Sequence, residues 1–150
     1  MDVTATLDAP CSPATLFAWI DDLGHFPSWL DIVARAEPVE ADPGDPGPAW
    51  EVDLRGRLGP LARSKRLRMV RVVHADARSA RFERRELDGR RHSPWVLEAV
   101  VEPAADASRL TMSLHYGGGL LGPVVERLLG DEIERSRPRL LALVAGGPPT

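Results

Sequence analysis

Residues 12–30, SPATLFAWIDDLGHFPSWL, constrain the fold of this chain more than any other segment. Ser12 is a favourable N-cap and Pro13 a favourable first helical residue, so a helix is predicted to begin here. The apolar residues of that helix share one face, at Leu16, Ile20 and Leu23. Gly24 is predicted to end it, and residues 26–30 to form a second short helical turn.

The rest of the chain alternates between apolar and polar residues, a period of two that is typical of half-buried strands. This alternation predicts strands at residues 2–9, 32–40, 50–58, 64–73, 78–87, 92–102 and 109–116. Gly59-Pro60-Leu61 is predicted to turn the third strand into the fourth, and Asp88-Gly89 to make a tight hairpin. Residues 42–48, rich in Pro, Gly and Asp, are predicted to be an exposed loop without packing residues.

The chain ends in a predicted amphipathic helix that follows the glycines 117–119 and that Pro138 should kink or split near Arg135. A strand, two short helices, six further antiparallel strands and one long helix make an α+β fold with the helix on one face of the sheet. Residues 1–150 are predicted to form a single domain. A sheet wrapped around a helix leaves an apolar cavity, so binding of a hydrophobic small molecule is the leading hypothesis.

The net charge of −3 conceals a strong asymmetry. Residues 1–54 hold eleven acids and one base, whereas residues 55–91 hold thirteen bases and four acids. A basic segment suggests a nucleic-acid partner, but here the bases alternate with apolar residues. We therefore expect no nucleic acid, and predict an outer-face ladder of opposite charges formed by Glu51, Asp53, Arg55, Arg57, Lys65, Arg66 and Arg68.

Several classes of protein are disfavoured by composition. No apolar run approaches the roughly 20 residues of a membrane span, and the N-terminus lacks the pattern of a secretory signal. The single cysteine, Cys11, cannot form an internal disulfide, which agrees with a reducing cytoplasm. The four histidines show no metal spacing. We expect a cytoplasmic protein without metal or cofactor, as a monomer or weak homodimer.

The motifs and the order of elements resemble the START-like (SRPBCC) superfamily, and most of all its polyketide cyclase/dehydrase and lipid transport members. The motifs are Ser12-Pro13-x-x-Leu16-Phe17, Ile20-Asp21-Asp22, Phe26-Pro27-x-Trp29-Leu30 and the glycines 117–119. The resemblance implies the helix-grip fold of the birch-pollen-allergen family, a curved seven-stranded antiparallel sheet around a long C-terminal helix. It also implies a ligand cavity between the concave face of the sheet and that helix.

Alternation along the strands, together with the last helix and the residues after the first, predicts which side chains face this cavity. Phe26 and Trp29 are placed near its mouth. The predicted ligand-binding residues are Phe26, Trp29, Trp50, Val52, Leu54, Leu67, Met69, Phe82, Trp95, Leu97, Met112, Leu114, Tyr116, Val124 and Leu128.

Candidates for catalysis are few. Continuing the alternation of the fourth and fifth strands turns Arg71 and Arg84 inward, and Tyr116 is the only phenol of the chain. An inward arginine can anchor a carboxylate or enolate oxygen. The only carboxylate predicted to face inward is Glu86, near the end of its strand.

Three functions stay open at this point. The first is binding or carriage of a lipid, polyketide or quinone-like molecule. The second is a polyketide cyclase, aromatase or dehydratase acting in the same cavity, and the third is a toxin-like partner-binding module. A dry cavity favours the first, an inward acid/base cluster the second, and a basic patch without acidic partners the third.

Overall fold

The computed structural model describes residues 2–58, 61–117 and 122–150, and the side chains of 2–56, 64–117 and 126–150. Within these residues the strands are β1 (Asp2–Ala9), β2 (Val33–Val39), β3 (Ala49–Leu58), β4 (Leu61–Ala75), β5 (Ser79–Arg84), β6 (Trp95–Ala104) and β7 (Ala107–Tyr116). Helix α1 spans Pro13–Ala18, a 3₁₀ helix spans Leu23–Ser28, and the long helix α2 spans Gly122–Ala145. Gly59, Pro60, Gly118 and Gly119 of the predicted turns lie outside the described residues.

The strands form one antiparallel sheet in the order β1-β7-β6-β5-β4-β3-β2. Helix α2 contacts both β1 and β3, which are five strand spacings apart, about 24 Å in a flat sheet. A helix with its side chains is only about 10 Å across. The sheet therefore curves around α2, and the predicted α+β helix-grip fold with seven strands is confirmed.

Two short helices follow β1, as predicted, but their limits differ from the prediction. Ser12 caps α1, its Oγ accepting a hydrogen bond from the backbone N–H three residues on at 3.2 Å. Helix α1 ends at Ala18, before the predicted end at Gly24. Asp22 is the reason: its Oδ1 accepts a hydrogen bond from Gly24 N at 2.8 Å and caps the 3₁₀ helix instead.

The connection between β5 and β6 is longer than the predicted hairpin. Strand β5 ends at Arg84 and β6 begins at Trp95, so Asp88-Gly89 turns the chain inside a loop rather than between paired strands. Glu86 explains the early end of β5. Its Oε1 accepts a hydrogen bond from the backbone N–H of Arg68 at 2.9 Å. This N–H belongs to β4, so it is no longer a donor for a backbone carbonyl of β5.

Helix α2 is continuous through Pro138, so the predicted split near Arg135 is wrong. Proline removes the hydrogen bond to the carbonyl four residues earlier, here that of Glu134. Both Pro138 and Glu134 are exposed, so water can satisfy that carbonyl and the helix continues. In the part of the chain that the structure describes, no helix is both long and apolar enough to cross a membrane.

The outer face of the sheet carries part of the predicted ladder of charges. Arg66 Nε lies 2.7 Å from Asp53 Oδ1 and 3.3 Å from Glu51 Oε1. Lys65 does not belong to the ladder, because it pairs in register with Leu54 and its Nζ lies 5.9 Å from the centre of the Trp95 ring. The side chain of Arg57 is outside the described part, and Arg55 is exposed.

Arg68 also leaves the predicted ladder. It faces Glu51 in register, yet its Nη2 lies 2.6 Å from Asp45 Oδ2. The side chains of Arg68 and Asp45 are only 11% and 5% exposed, so the 42–48 loop, predicted to lack packing residues, does have one. The hydrogen bond from Arg68 holds the pKa of Asp45 below its ordinary value of 3.8.

Asp45→Asn is expected to lower the free energy of unfolding by about 2–3 kcal/mol at pH 7, because it leaves the Arg68 guanidinium enclosed without a counter-charge. The native pKa of Asp45 lies below its unfolded value, so the stabilisation is present above the unfolded pKa and is lost as pH falls through the native pKa. Urea unfolding at pH 7 and below pH 4 measures this stabilisation. The difference in unfolding free energy between wild type and variant should be smaller at the lower pH. Arg66→Gln is the control, because the side chain of Arg66 is 62% exposed. An equal loss of stability in both variants would contradict the assignment.

Candidate ligand cavity

A cavity of about 170 Å³ lies between the inner face of the sheet, the 3₁₀ helix with the residues after it, and α2. Side chains from β1, β2, β3, β4, β6 and β7 line it. Almost all of them are apolar, and the polar residues of the wall are Thr6, Glu132, Ser136 and Arg137. A wall of this composition does not hold water well, so the cavity suits an apolar occupant.

Ten of the predicted ligand-binding residues lie together in the wall of this cavity. They are Phe26, Trp29, Val52, Leu54, Leu67, Met69, Trp95, Leu97, Met112 and Leu114. The cross-strand register explains the grouping, since Trp50–Met69 and Leu97–Leu114 pairs put alternate residues of adjacent strands on one face. Phe26 and Trp29, placed near the mouth by the sequence, are buried, with 1% and 3% of their surface exposed.

The remaining predicted residues are not brought into the wall. Trp50 and Phe82 are buried side by side, with ring centres 5.7 Å apart, in the core beyond the cavity. Tyr116 stacks on Trp95 with ring centres 5.2 Å apart. Leu128 is half-buried and contacts the position of Gly56 rather than the cavity. The side chain of Val124 lies outside the described residues.

Other residues of the wall were not among the predicted binding residues. Strand β1 contributes Val3, Ala5 and Leu7, and the period-two alternation of this strand is the signal that indicates them. The segment from the 3₁₀ helix to β2 contributes Leu23, Leu30, Ile32 and Val33, and α2 contributes Leu129, Ile133 and Leu140. All of these residues are apolar, and Leu129, Ile133 and Leu140 are spaced for one face of α2, so helical periodicity was the available signal for those three.

Arg71 and Arg84 share the inner face of the sheet with cavity residues but do not line the cavity. Arg84 pairs in register with Met69, and Arg71 with Phe82. The Nη1 of Arg71 donates to the backbone carbonyl of Asp21 at 2.9 Å. The guanidinium of Arg71 is therefore engaged outside the cavity wall, where it ties the sheet to the segment between α1 and the 3₁₀ helix.

The contacts of Arg84 are all with the loop that follows β5. Its Nε donates to Glu86 Oε1 at 3.1 Å and its Nη1 to the carbonyl of Ser93 at 3.3 Å, and its Nη2 lies 3.3 Å from His92 Nδ1. Glu86, the carboxylate that the sequence offered as an inward partner, does bind Arg84, but away from the cavity. In this structure the guanidinium of Arg84 is thus paired with Glu86 and does not line the cavity.

Tyr116, the third weak catalytic candidate, is 5% exposed. Burial, followed by the charge of Glu126, raises the pKa of its phenol above 10.0. Burial also lowers the pKa of the nearby Lys65 ammonium, with Arg84 adding to the effect. A neutral phenol is a poor base but can donate a proton or a hydrogen bond, and in this structure the ring of Tyr116 packs against Trp95.

Three buried polar atoms of the wall have no hydrogen-bond partner within the described residues. They are Nε1 of Trp29, Nε1 of Trp95 and Oε2 of Glu132. Glu132 was not predicted as a site residue, although it lies three residues after Leu129 and four before Ser136, on the stripe of α2 that faces the sheet. No cluster of His, Cys, Asp and Glu able to hold a metal ion occurs in the described ranges.

Comparison with known proteins agrees with this architecture. A family model described as polyketide cyclase / dehydrase and lipid transport matches residues 1–145 of the chain. Among curated proteins no match is found.

Solved structures of the same fold include a START superfamily protein from Mycobacterium smegmatis, at 17% identity and a TM-score of 0.72 over 97% of both chains. The protein TTHA0849 from Thermus thermophilus has 19% identity and a TM-score of 0.69, covering 97% of this chain and 98% of that one. The di-domain ARO/CYC StfQ from the steffimycin biosynthetic pathway has 14% identity and a TM-score of 0.63, covering 97% of this chain and 49% of that one. At these identities the likeness concerns the fold.

Proposed function

We propose that this chain, which belongs to the polyketide cyclase/dehydrase and lipid transport family, binds or carries one small hydrophobic molecule in the cavity between its sheet and α2. The observation that carries the proposal is the apolar cavity of about 170 Å³. An engineered apolar cavity of about 150 Å³ in another protein stays dry and binds benzene. A lipid-like, polyketide or quinone-like body with one or two rings is of the right size and polarity.

The energetics favour such a ligand. Each Å² of apolar ligand surface removed from water contributes about 25 cal/mol, and the wall offers few polar groups that would have to lose their hydration. The wall itself holds two charged residues, Glu132 and Arg137, and the two inward-facing arginines of β4 and β5 are engaged outside it. Arg84 and Arg71 bind Glu86 and the carbonyl of Asp21. The family membership supports hydrophobic ligand binding in general, and the ligand itself is part of the proposal.

The apolar probe 2-methylnaphthalene tests this function. We expect it to bind with one site per chain, and the double variant Trp95→Ala/Met112→Ala to weaken binding by about tenfold through loss of wall contacts. Isothermal titration with the protein added to dilute probe gives stoichiometry and affinity. Leu87→Ala, on a side chain that is 62% exposed, is the matched control. Absence of binding to the wild-type protein, or equal weakening by the control, would contradict the proposal.

A second candidate function is catalysis in the same cavity, as a cyclase, aromatase or dehydratase. The observation that favours it is Glu132, a carboxylate in the cavity wall with one oxygen unpaired among the described residues. A carboxylate within reach of a bound carbonyl compound can act as a general base. Incubation with a linear poly-β-ketone, followed by mass analysis of the ligand, separates the two functions: a carrier returns it unchanged.

A further inference from the structure

The unpaired polar atoms of the cavity wall point to the chemistry of the occupant. A buried hydrogen-bonding group without a partner is destabilising by about 1–3 kcal/mol, and more for a charged group. Within the described part of the chain, two indole N–H donors, of Trp29 and Trp95, and one carboxylate oxygen, Oε2 of Glu132, are in this state. All three residues line the same cavity, and the three atoms are covered by neighbouring side chains, so a ligand there meets them once those side chains turn.

One carboxylate oxygen of Glu132 has a hydrogen-bond partner, and the other has none in the described residues. Its Oε1 accepts a hydrogen bond from Arg135 Nη2, while its side chain is only 12% exposed. The neighbouring polar groups of the wall are engaged. Ser136 Oγ donates to the carbonyl of Ile133 at 2.7 Å, and Arg137 donates to the carbonyl of Thr6. Oε2 is therefore a covered acceptor without a partner in the described residues, and a hydroxyl of the ligand is the donor that would satisfy it.

The negative charge of Glu132 disfavours one common class of ligand, organic anions. A carboxylate ligand would bring a second negative charge against Glu132 in a place where few polar groups screen it. The guanidinium of Arg135 is 54% exposed and is already bound to Glu132. Arg137 also lies against Glu134, its Nε 3.1 Å from Oε1. An anionic group is thus disfavoured beside Glu132, although the chain of a fatty acid would suit the wall. The Lys65 ammonium lies beside another wall residue, with Nζ 5.9 Å from the centre of the Trp95 ring.

A neutral hydroxyl satisfies both kinds of group, because its O–H donates and its oxygen accepts. We propose that the cavity selects an uncharged, ring-sized apolar ligand bearing a hydroxyl, which donates to Glu132 Oε2 and accepts from the indole N–H of Trp29 or Trp95. This inference rests on the proposed binding function and adds the polar feature by which the ligand is recognised.

Three probes of nearly equal shape test the inference: 2-naphthol, 2-methylnaphthalene and 2-naphthoate. In Glu132→Met, affinity for 2-naphthol should fall by about tenfold or more, while affinity for 2-methylnaphthalene stays within about twofold. Glu132→Gln keeps the shape and an acceptor oxygen but loses the charge, so a loss of about threefold is expected. Asp131→Asn, an exposed neighbour on the same helix with the same change of charge, should leave both affinities unchanged.

The outcomes separate this inference from the function on which it rests. If 2-methylnaphthalene binds but Glu132→Met leaves the ratio of the two affinities unchanged, the recognition of a hydroxyl is wrong and the binding function stands. Tighter binding of 2-naphthoate than of 2-naphthol to the wild-type protein also overturns it. If no probe binds, both proposals fall. Thermal unfolding of Glu132→Gln shows that a loss of affinity does not come from loss of the fold.

Discussion

Ala5→Leu is expected to reduce the affinity for 2-methylnaphthalene by about a hundredfold or more, to the point where no binding heat is measured. Ala5 lies in β1 opposite Met112, and both line the cavity. A leucine side chain there occupies space that the ligand needs, since the cavity is only about 170 Å³. Filling a cavity commonly raises stability by about 0.5–2 kcal/mol, so the unfolding free energy should be unchanged or higher.

The preceding residue of the same strand provides the control for this variant. Thr4 is exposed on the opposite face and pairs with Ser113. Thr4→Leu adds a similar side chain outside the cavity and should leave probe affinity within about twofold. Titration calorimetry and urea unfolding of the two variants give affinity and stability together. Normal binding by Ala5→Leu would show that the ligand sits elsewhere.

Phe82→Ala is expected to lower the free energy of unfolding by about 3–5 kcal/mol, a large share of the about 5–15 kcal/mol that stabilises a typical domain. Phe82 has no exposed surface and meets Phe26 and Trp50 edge-on, with ring centres 6.4 and 5.7 Å away. Removing its ring leaves a void between β5 and the 3₁₀ helix that these partners cannot fill without moving. Urea unfolding measures the loss.

A milder substitution at the same position separates packing from binding. The sequence placed Phe82 among the ligand-binding residues, whereas the structure places it in the core beyond the cavity wall. Phe82→Leu should therefore reduce stability but leave the affinity for 2-methylnaphthalene within about twofold. A tenfold loss of affinity in a folded Phe82→Leu protein would restore this residue to the binding site.

Alternation along the strands was a reliable guide to the inner face of the sheet. Leu97 and Met112 lie where the period of two puts them, because a half-buried strand has only two faces and register with its neighbours fixes both. Alternation cannot separate cavity wall from core, however. Trp50 and Val52 both face inward on β3, and only the packing of the 3₁₀ helix and α2 decides which of them meets open space.

Polar residues were the main source of wrong predictions. Arg84 faces inward as the pattern predicts, but the loop after β5 folds back and supplies Glu86 as its partner. Arg68 turns away from Glu51 because Asp45 of a distant loop is within reach. Glu132 was not among the predicted site residues; a glutamate in a helix is usually solvated, but its spacing from Leu129 puts this one on the buried stripe. Such partners depend on tertiary contacts that one sequence does not display.

The most direct test of the central claim, that the space between sheet and α2 is a ligand site, is a crystal structure of the protein soaked with 2-bromonaphthalene. The anomalous scattering of bromine locates the ligand independently of the refined protein coordinates. The account predicts one strong bromine peak inside the cavity, in van der Waals contact with Trp95, Met112 and Leu140. Peaks confined to the exposed surface around Val73 or Leu87, with wall side chains filling the interior, would contradict it.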